Sequence, residues 1–396
     1  MAGTAEHNLF SEGLRTSIVV ISDRVENSHR PGEKPFDAAP RKLLVSEPAP
    51  SVVGSYLERL PLTAIRSGLV EFAEIWHHSI GHGSFHEDSP HLARRIFPLS
   101  DDTAPFHSET MLDFIRMHGA PRILCIWGLG VSEALLDACR DSIIIYNSID
   151  APALRVPPEI SRHFDIVLTG AEWQSDLVHE RHPDLITAIM PIGPEFASPE
   201  TFFPTGDPKQ YDIIYVAAAQ AYKRHDVLFD AMARAPRRLT ALCVMGYGED
   251  AAALRQRAHD LDITVDFIDP PGVPYAEVNR LMNAARVGVV CGVEDGAPAI
   301  ITEYMLAGLP VVANADLACG LQYILPETGI AAPADSFEQA IIAAIDHPER
   351  FSPREAVLAR WAWPHTAGRF ESLIAEAIAK KSRTADRQGA SFEPAA

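Results

Sequence analysis

The sequence predicts an α/β chain of two parallel-sheet domains, and three observations carry that expectation. Short β-branched and apolar runs alternate with helical patterns along most of the chain, which marks a parallel sheet covered on both faces. One Pro/Gly-rich stretch, residues 191–208 (PIGPEFASPETFFPTGDP), breaks the rhythm in mid-chain, as an inter-domain connection does. The length of 396 residues suits two units of about 150 residues each. A single eight-fold barrel fits such a break badly.

Residues 1–40 are uneven and read as an extension, with 17–22 (SIVVIS) as a short strand. The first domain then spans 41–195. Its strands are expected at 43–46, 95–99, 122–127, 142–146, 164–169 and 186–189, with helices at 55–65, 109–118, 132–140 and 174–180. After a linker at 196–210, the alternation resumes over 211–363. Strands are expected at 213–217, 239–245, 263–268, 287–291 and 310–313. The helix at 226–235 shows Val227, Leu228, Ala231, Met232 and Ala235 at helical spacing. Further helices are expected at 275–285, 298–307 and 336–345. A helix at 364–382 and a polar, flexible tail at 383–396 end the chain.

Composition excludes several classes. Lys+Arg 34 against Asp+Glu 53 gives a net charge of −19, the wrong sign for a general nucleic-acid binder. A hydrophobic content of 47% with 22% charged residues supports a real core. Cys125, Cys139, Cys243, Cys291 and Cys319 are odd in number, far apart and set in apolar or mixed runs. That is reduced, core-type usage without a disulfide framework or paired-cysteine zinc site. No apolar run reaches membrane-spanning length, and residues 1–12 lack the order of a signal peptide. A cytoplasmic protein with at most peripheral membrane contact is expected.

The segment 290–314 (VCGVEDGAPAIITEYMLAGLPVVAN) carries the chemistry. A strand ends at Cys291, and an acidic loop holds Glu294, Asp295 and Gly296. Pro298 suits the first helical position, and Gly308 the C-terminal cap. The helix thus starts at the carboxyl edge of the sheet, the ligand crevice of open α/β domains. Asp295 and Glu303, flanking seven residues, suit hydroxyl pairs, to which an ionised acid can only accept. The bland alternative is a capped helix with two solvated acids, and for the spacing alone it is the better reading. The surrounding order of strand, acidic loop, Gly, Pro, helix, Gly-x-Pro and strand favours a ligand site.

The run DGAPAIITEYMLAGLPVVA resembles the donor-site signature of GT-B fold glycosyltransferases, specifically glycosyltransferase family 4, the retaining group 1 enzymes. Asp295, Gly296, Pro298, Glu303, Gly308, Pro310, Val311 and Val312 occupy its positions, with Asp295 where a Glu is usual. The resemblance implies two Rossmann-like domains facing each other across a cleft, with the C-terminal helix crossing back onto the first. It implies that Glu303 holds the nucleotide ribose, and that Asp295, Gly296, Ala297, Pro298 and Ala299 contact the donor sugar. Upstream, 211–232 (YDIIYVAAAQAYKRHDVLFDAM) is similar to the loop whose Arg and Lys grip the donor diphosphate. Lys223 takes the Lys position. Ala218 stands at the Arg position, and Arg224 is the neighbouring cation available. Gly246, Phe267 and Ile268 fall where the family builds its base pocket. On the acceptor side, the resemblance points to Gly54 in the loop facing the donor and to Asp150 at a strand end.

His77, His78, His82, His86 and His91 cluster in sequence, but Gly81, Gly83 and Ser84 oppose a helix that would align them. They are expected in a loop lining the cleft, His78 as an acceptor contact, and no metal is expected. The turn at 127–130 (WGLG) lacks the third glycine of a dinucleotide fingerprint, which disfavours an NAD-linked dehydrogenase.

The expected activity is transfer of a sugar from a UDP- or GDP-sugar to an acceptor hydroxyl, with retention and without a metal or other cofactor. Lys223, Asp295 and Glu303 are the expected catalytic group. The acceptor is a sugar, a lipid-linked molecule or a small molecule, in bacterial glycan, glycolipid or natural-product synthesis. The alternatives are a degenerate GT-B binding or partner subunit and a GT-B nucleotide-sugar epimerase.

Overall fold

The computed structural model describes residues 13–26, 34–36, 50–148, 152–296 and 298–390. The expected strand at 43–46, Asp150 and Ala297 lie outside them. Two parallel-sheet domains face each other, as expected.

The first domain is built on a nine-stranded sheet: β1 (Ser17–Glu26), β2 (Lys34–Pro35), β3 (Phe72–Ser79), β4 (Ser84–Glu87), β5 (Leu92–Pro98), β6 (Ile123–Trp127), β7 (Ile143–Asn147), β8 (Ile166–Thr169) and β9 (Ile186–Ile189). Their order is β2-β4-β5-β3-β1-β6-β7-β8-β9. β4 runs antiparallel to β2 and β5, and the remaining pairs are parallel.

Two corrections follow. The segment read as an extension contributes β1, the centre of the sheet, because Ser17 to Ser22 are buried on both faces and such a strand needs neighbours on each side. The histidine-rich stretch is not one loop. His77 and His78 belong to β3, buried throughout, and His86 lies on β4. β3 was missed because its polar members, Glu74, His77, His78 and Ser79, break the apolar run.

One buried ion pair explains Glu74. Its carboxylate accepts from Arg95 on β5, Nε to Oε2 at 2.7 Å and the second nitrogen to Oε1 at 3.0 Å. Trp76 Nε1 donates to the same Oε2 at 2.8 Å. The Arg95 guanidinium also lies 4.5 Å from the Phe85 ring and 4.4 Å from the Phe114 ring.

The second domain has six parallel strands: β10 (Tyr211–Val216), β11 (Thr240–Val244), β12 (Thr264–Ile268), β13 (Ala285–Val290), β14 (Val311–Asn314) and β15 (Gly329–Ala332), in the order β12-β11-β10-β13-β14-β15. The chain moves outward from β10 to β12 and then crosses to β13 on the other side. The crevice between the carboxyl ends of β10 and β13 is therefore the topological switch point, where open α/β sheets bind ligands.

The connection between the domains is well ordered. A short helix, Ile192–Glu195, is wholly buried, and Thr302 donates to Pro194 O at 2.8 Å. The final helix, His365–Ala390, runs beyond the expected end at 382. It inserts Phe370, Ile374 and Ala377 into the core of the first domain.

Glu195 sits where these parts meet. Its carboxylate accepts from Arg369 at 2.8 Å and from the Tyr323 hydroxyl at 3.2 Å, while Thr366 donates to its carbonyl at 2.6 Å. Burial pushes its carboxyl up to about 7, against the opposing pull of Arg369. An unfolded glutamate releases its proton near about 4.3. The folded state therefore gains stability below that pH and loses it as pH rises through about 7, by at most about 4 kcal/mol. Thermal unfolding should show wild type losing ground to Glu195→Gln between about pH 4.5 and 7.5. A constant difference between the two would refute this.

Candidate active site at the domain interface

The site grows from the helix Ile300–Leu306. It starts two residues later than expected, with Ala299 as N-cap and Pro298 closing the preceding turn by accepting from Ile301 N at 3.3 Å. The missing Pro298 amide and fixed φ suit that turn. Gly308, at φ 86°, ends the helix.

Tyr304 seats this helix on the sheet. Its ring covers Gly288 of β13 so closely that a Cβ there would lie 2.4 Å from it. Its hydroxyl accepts from Val216 N at 2.7 Å and donates to Ile214 O at 3.3 Å. With Ile301, Tyr304 and Met305 turned to the core, Thr302 and Glu303 face the linker and the first domain.

Lys223 and Asp295, 72 residues apart, form an ion pair at the β10–β13 switch point. Both side chains are largely buried, at 16% and 11% exposure. The Lys223 ammonium lies 4.7 Å from the Tyr222 ring. Arg224 does not join them. Its backbone is left-handed (φ 52°) and its guanidinium is held by Asp226, at 2.8–3.1 Å.

Glu303 pairs with a residue that the sequence reading missed. Arg59, on the first-domain helix Tyr56–Arg66, is only 2% exposed and meets Glu303 across the interface. Its Nε donates to Gly54 O at 3.1 Å and another nitrogen to Gly193 O at 2.9 Å. The capping box Ser55-x-x-Glu58 fixes this helix start, and it is the one sequence signal beside Arg59. Nearby, the Tyr56 hydroxyl accepts from Ala299 N at 3.1 Å. Burial and then the charge of Asp295 raise that phenol's pKa.

The other predicted residues take several places. Gly246 follows β11, and a Cβ there would meet nothing within 4 Å, although Gly272 packs against its Cα. The Phe267 ring packs within its own domain, between Phe229 and Arg255, and Ile268 O accepts from Met245 N at 2.8 Å. Gly54 adopts φ 100° beside Glu58. His78 is fully buried against Phe106, 5.4 Å between ring centroids, and burial pushes its imidazole down to about 4. Among the described residues no three His, Cys, Asp or Glu side chains are placed to hold a metal ion, and no helix is long and apolar enough to cross a membrane.

The two domains also meet through Gly170 and Gly296. A Cβ on Gly170 would stand 2.4 Å from Gly296 O and 3.0 Å from Cys319 Cβ. Gln322 donates to Gly170 O and Trp173 to Ala318 O, both at 2.8 Å. Gly170 is outside the left-handed region, so Gly170→Ala tests the contact alone. It should lower kcat/KM on the order of a hundredfold, the cost of about 1 Å of misplacement, with little change in Tm. Steady-state kinetics checks this, and a kcat/KM within twofold of wild type contradicts it.

Residues 210–347 match the family model described as glycosyl transferases group 1. The match covers the second domain alone. The whole chain has the GT-B fold. The Anabaena protein HepE, solved with UDP and glucose, superposes with a TM-score of 0.62 at 12% identity, over 91% of this chain and 100% of its own. Sucrose-phosphate synthase from Thermosynechococcus elongatus gives 0.61 at 16% identity, over 92% and 100%. The lipopolysaccharide outer core galactosyltransferase WaaB gives 0.61 at 12%, over 91% and 99%. No curated protein matches in sequence. The matched residues include Lys223, Asp295 and Glu303, whereas Arg59, Tyr56 and Gly170 come from the first domain.

Proposed function

We propose that this chain transfers a glycosyl group from a nucleoside diphosphate sugar, UDP- or GDP-linked, to an acceptor hydroxyl with retention of configuration. The observation that supports it most is the grouping of Lys223, Asp295 and Glu303 in one crevice between the domains. Glu303 accepts from the ribose hydroxyls, Asp295 orients the donor sugar, and Lys223 stabilises the charge on the departing diphosphate.

In the reaction, the bond from the anomeric carbon to the diphosphate oxygen breaks and its electron pair leaves with the diphosphate. The acceptor oxygen bonds to the anomeric carbon from the same face. Its proton passes to the departing phosphate oxygen. Lys223 provides the positive charge this step needs, so a metal is not required. The acceptor, a sugar, lipid-linked or small molecule, enters from the first-domain side, near Gly54; His78, fully buried, does not reach it.

A second reading has its own support. Ala218 stands where relatives carry a phosphate-binding Arg, Arg224 is held by Asp226, and Lys223 is engaged by Asp295. A binding or partner subunit without turnover would show these features.

Thermal unfolding with UDP, GDP and ADP in turn, on wild type and Glu303→Ala, tests the donor site. A ligand at a hundred times its Kd adds about 2.7 kcal/mol and moves Tm by several degrees. A shift with one nucleotide, lost in the variant, is expected. Turnover of the matching nucleotide sugar then separates enzyme from binding subunit, and NMR of the product anomer tests retention. No shift with any nucleotide would refute the donor-site reading.

A further inference from the structure

We propose that Arg59 is a positioning residue of the donor site, orienting the Glu303 carboxylate toward the ribose and making ribose recognition depend on domain closure. This rests on the donor-site reading of Glu303.

The guanidinium has one donor group for each of three segments that belong to different parts of the molecule. Gly54 O is in the first-domain loop before the helix Tyr56–Arg66, Gly193 O is in the linker, and Glu303 is on the donor-domain helix. Two of these partners are backbone carbonyls, which fix the plane of the fork before Glu303 arrives. The fork then presents a fixed N–H to one carboxylate oxygen, Oε1. A planar guanidinium holding one oxygen sets the rotation of the carboxylate and leaves Oε2 to accept from hydroxyls.

The surroundings favour this role over a surface tether. Arg59 and Glu303 are 2% and 7% exposed. The Arg59 guanidinium lies 6.0 Å from the Phe202 ring, so water does not compete freely for either charge. Gly54 and Arg59 belong to the first domain, so an opened cleft would take from Glu303 the guanidinium that orients it. A donor bound to the open form would meet a carboxylate free to rotate.

Lysine cannot reproduce the arrangement. Its single ammonium cannot hold Gly54 O, Gly193 O and Glu303 in one plane.

The test is the ratio of affinities for a nucleoside diphosphate and its 2′-deoxy counterpart, measured calorimetrically with UDP, GDP and ADP and their deoxy forms. In wild type the ribose compound should bind about tenfold or more tightly, the worth of a hydrogen bond to a carboxylate. Arg59→Gln should bring the ratio below about threefold, and Arg59→Lys should fall between. In a Glu303→Gln background Arg59→Gln should change the ratio no further. General destabilisation would weaken both nucleotides alike and leave the ratio intact.

If Arg59→Gln does not fold, Arg59→Lys carries the test, and a wild-type ratio in it overturns the proposal. A folded Arg59→Gln with wild-type discrimination also overturns it, while leaving the donor site standing. Wild type that binds no nucleotide overturns the donor-site reading, and this proposal with it.

Discussion

Lys223→Ala should lower turnover of the nucleotide-sugar donor about a thousandfold at saturation. A cation about 4 Å from the departing diphosphate contributes roughly 4 kcal/mol at an effective dielectric near 20. At about 1.4 kcal/mol per decade that is three decades in rate, provided the charge develops in the transition state. The local arrangement sharpens the effect. Arg224 is held by Asp226 and Ala218 has no charge to offer, so no second cation of this loop takes over. The substitution also leaves Asp295, 8% exposed, without its partner and facing an incoming anion. Lys223→Ala/Asp295→Asn should therefore recover part of the donor affinity but little of the rate. Single-turnover kinetics with saturating donor separates the two. A loss of less than about tenfold would remove Lys223 from the leaving-group role.

The largest effect on stability should come from Glu74→Ala. Glu74 and Arg95 are both 0% exposed and share a two-point interaction between β3 and β5. Removing Glu74 takes the two-point carboxylate partner from a buried guanidinium and costs about 3–5 kcal/mol. For a domain of this size that lowers Tm on the order of 10 °C. Trp76 Nε1 loses its acceptor at the same time. The pair is not therefore a net source of stability. Its desolvation cost is comparable to its attraction, so Glu74→Leu/Arg95→Met should be far more stable than Glu74→Ala, with Phe85 and Phe114 beside the apolar replacement. Calorimetry of the single and double variants decides this. Equal destabilisation by both would refute this.

Much of the fold was legible because its signals are local. The alternation of apolar runs with helical patterns needs only neighbouring residues to state it, and it located most strands of both domains to within a few positions. The acidic loop, Pro298 and Gly308 likewise mark a strand-to-helix crevice by turn chemistry alone. Where local signals conflict, the reading failed. β3 carries a buried glutamate because its pairing with β5 supplies Arg95 to Glu74, a partner 21 residues away. β1 reads as a short strand of an extension because a polar, Pro/Gly-bearing stretch, 24–40, follows it, although it is the strand from which the sheet extends both ways.

By itself, then, the sequence determined the α/β class, the two-domain division and the positions of Lys223, Asp295 and Glu303 at the carboxyl edge of a parallel sheet. Strand periodicity and turn residues act within a few positions, and those suffice. Only the tertiary structure decided what these groups face. Lys223 meets Asp295 across 72 residues, and Glu303 meets Arg59 across 244. In the sequence Glu58 and Arg59 follow a capping serine as solvated charges of a first helical turn usually do. Arg59 becomes a buried cation because the linker and the second domain cover that turn. Burial is a property of the packed molecule, set by surfaces that come together only when both domains are folded, and no local pattern of residues encodes it.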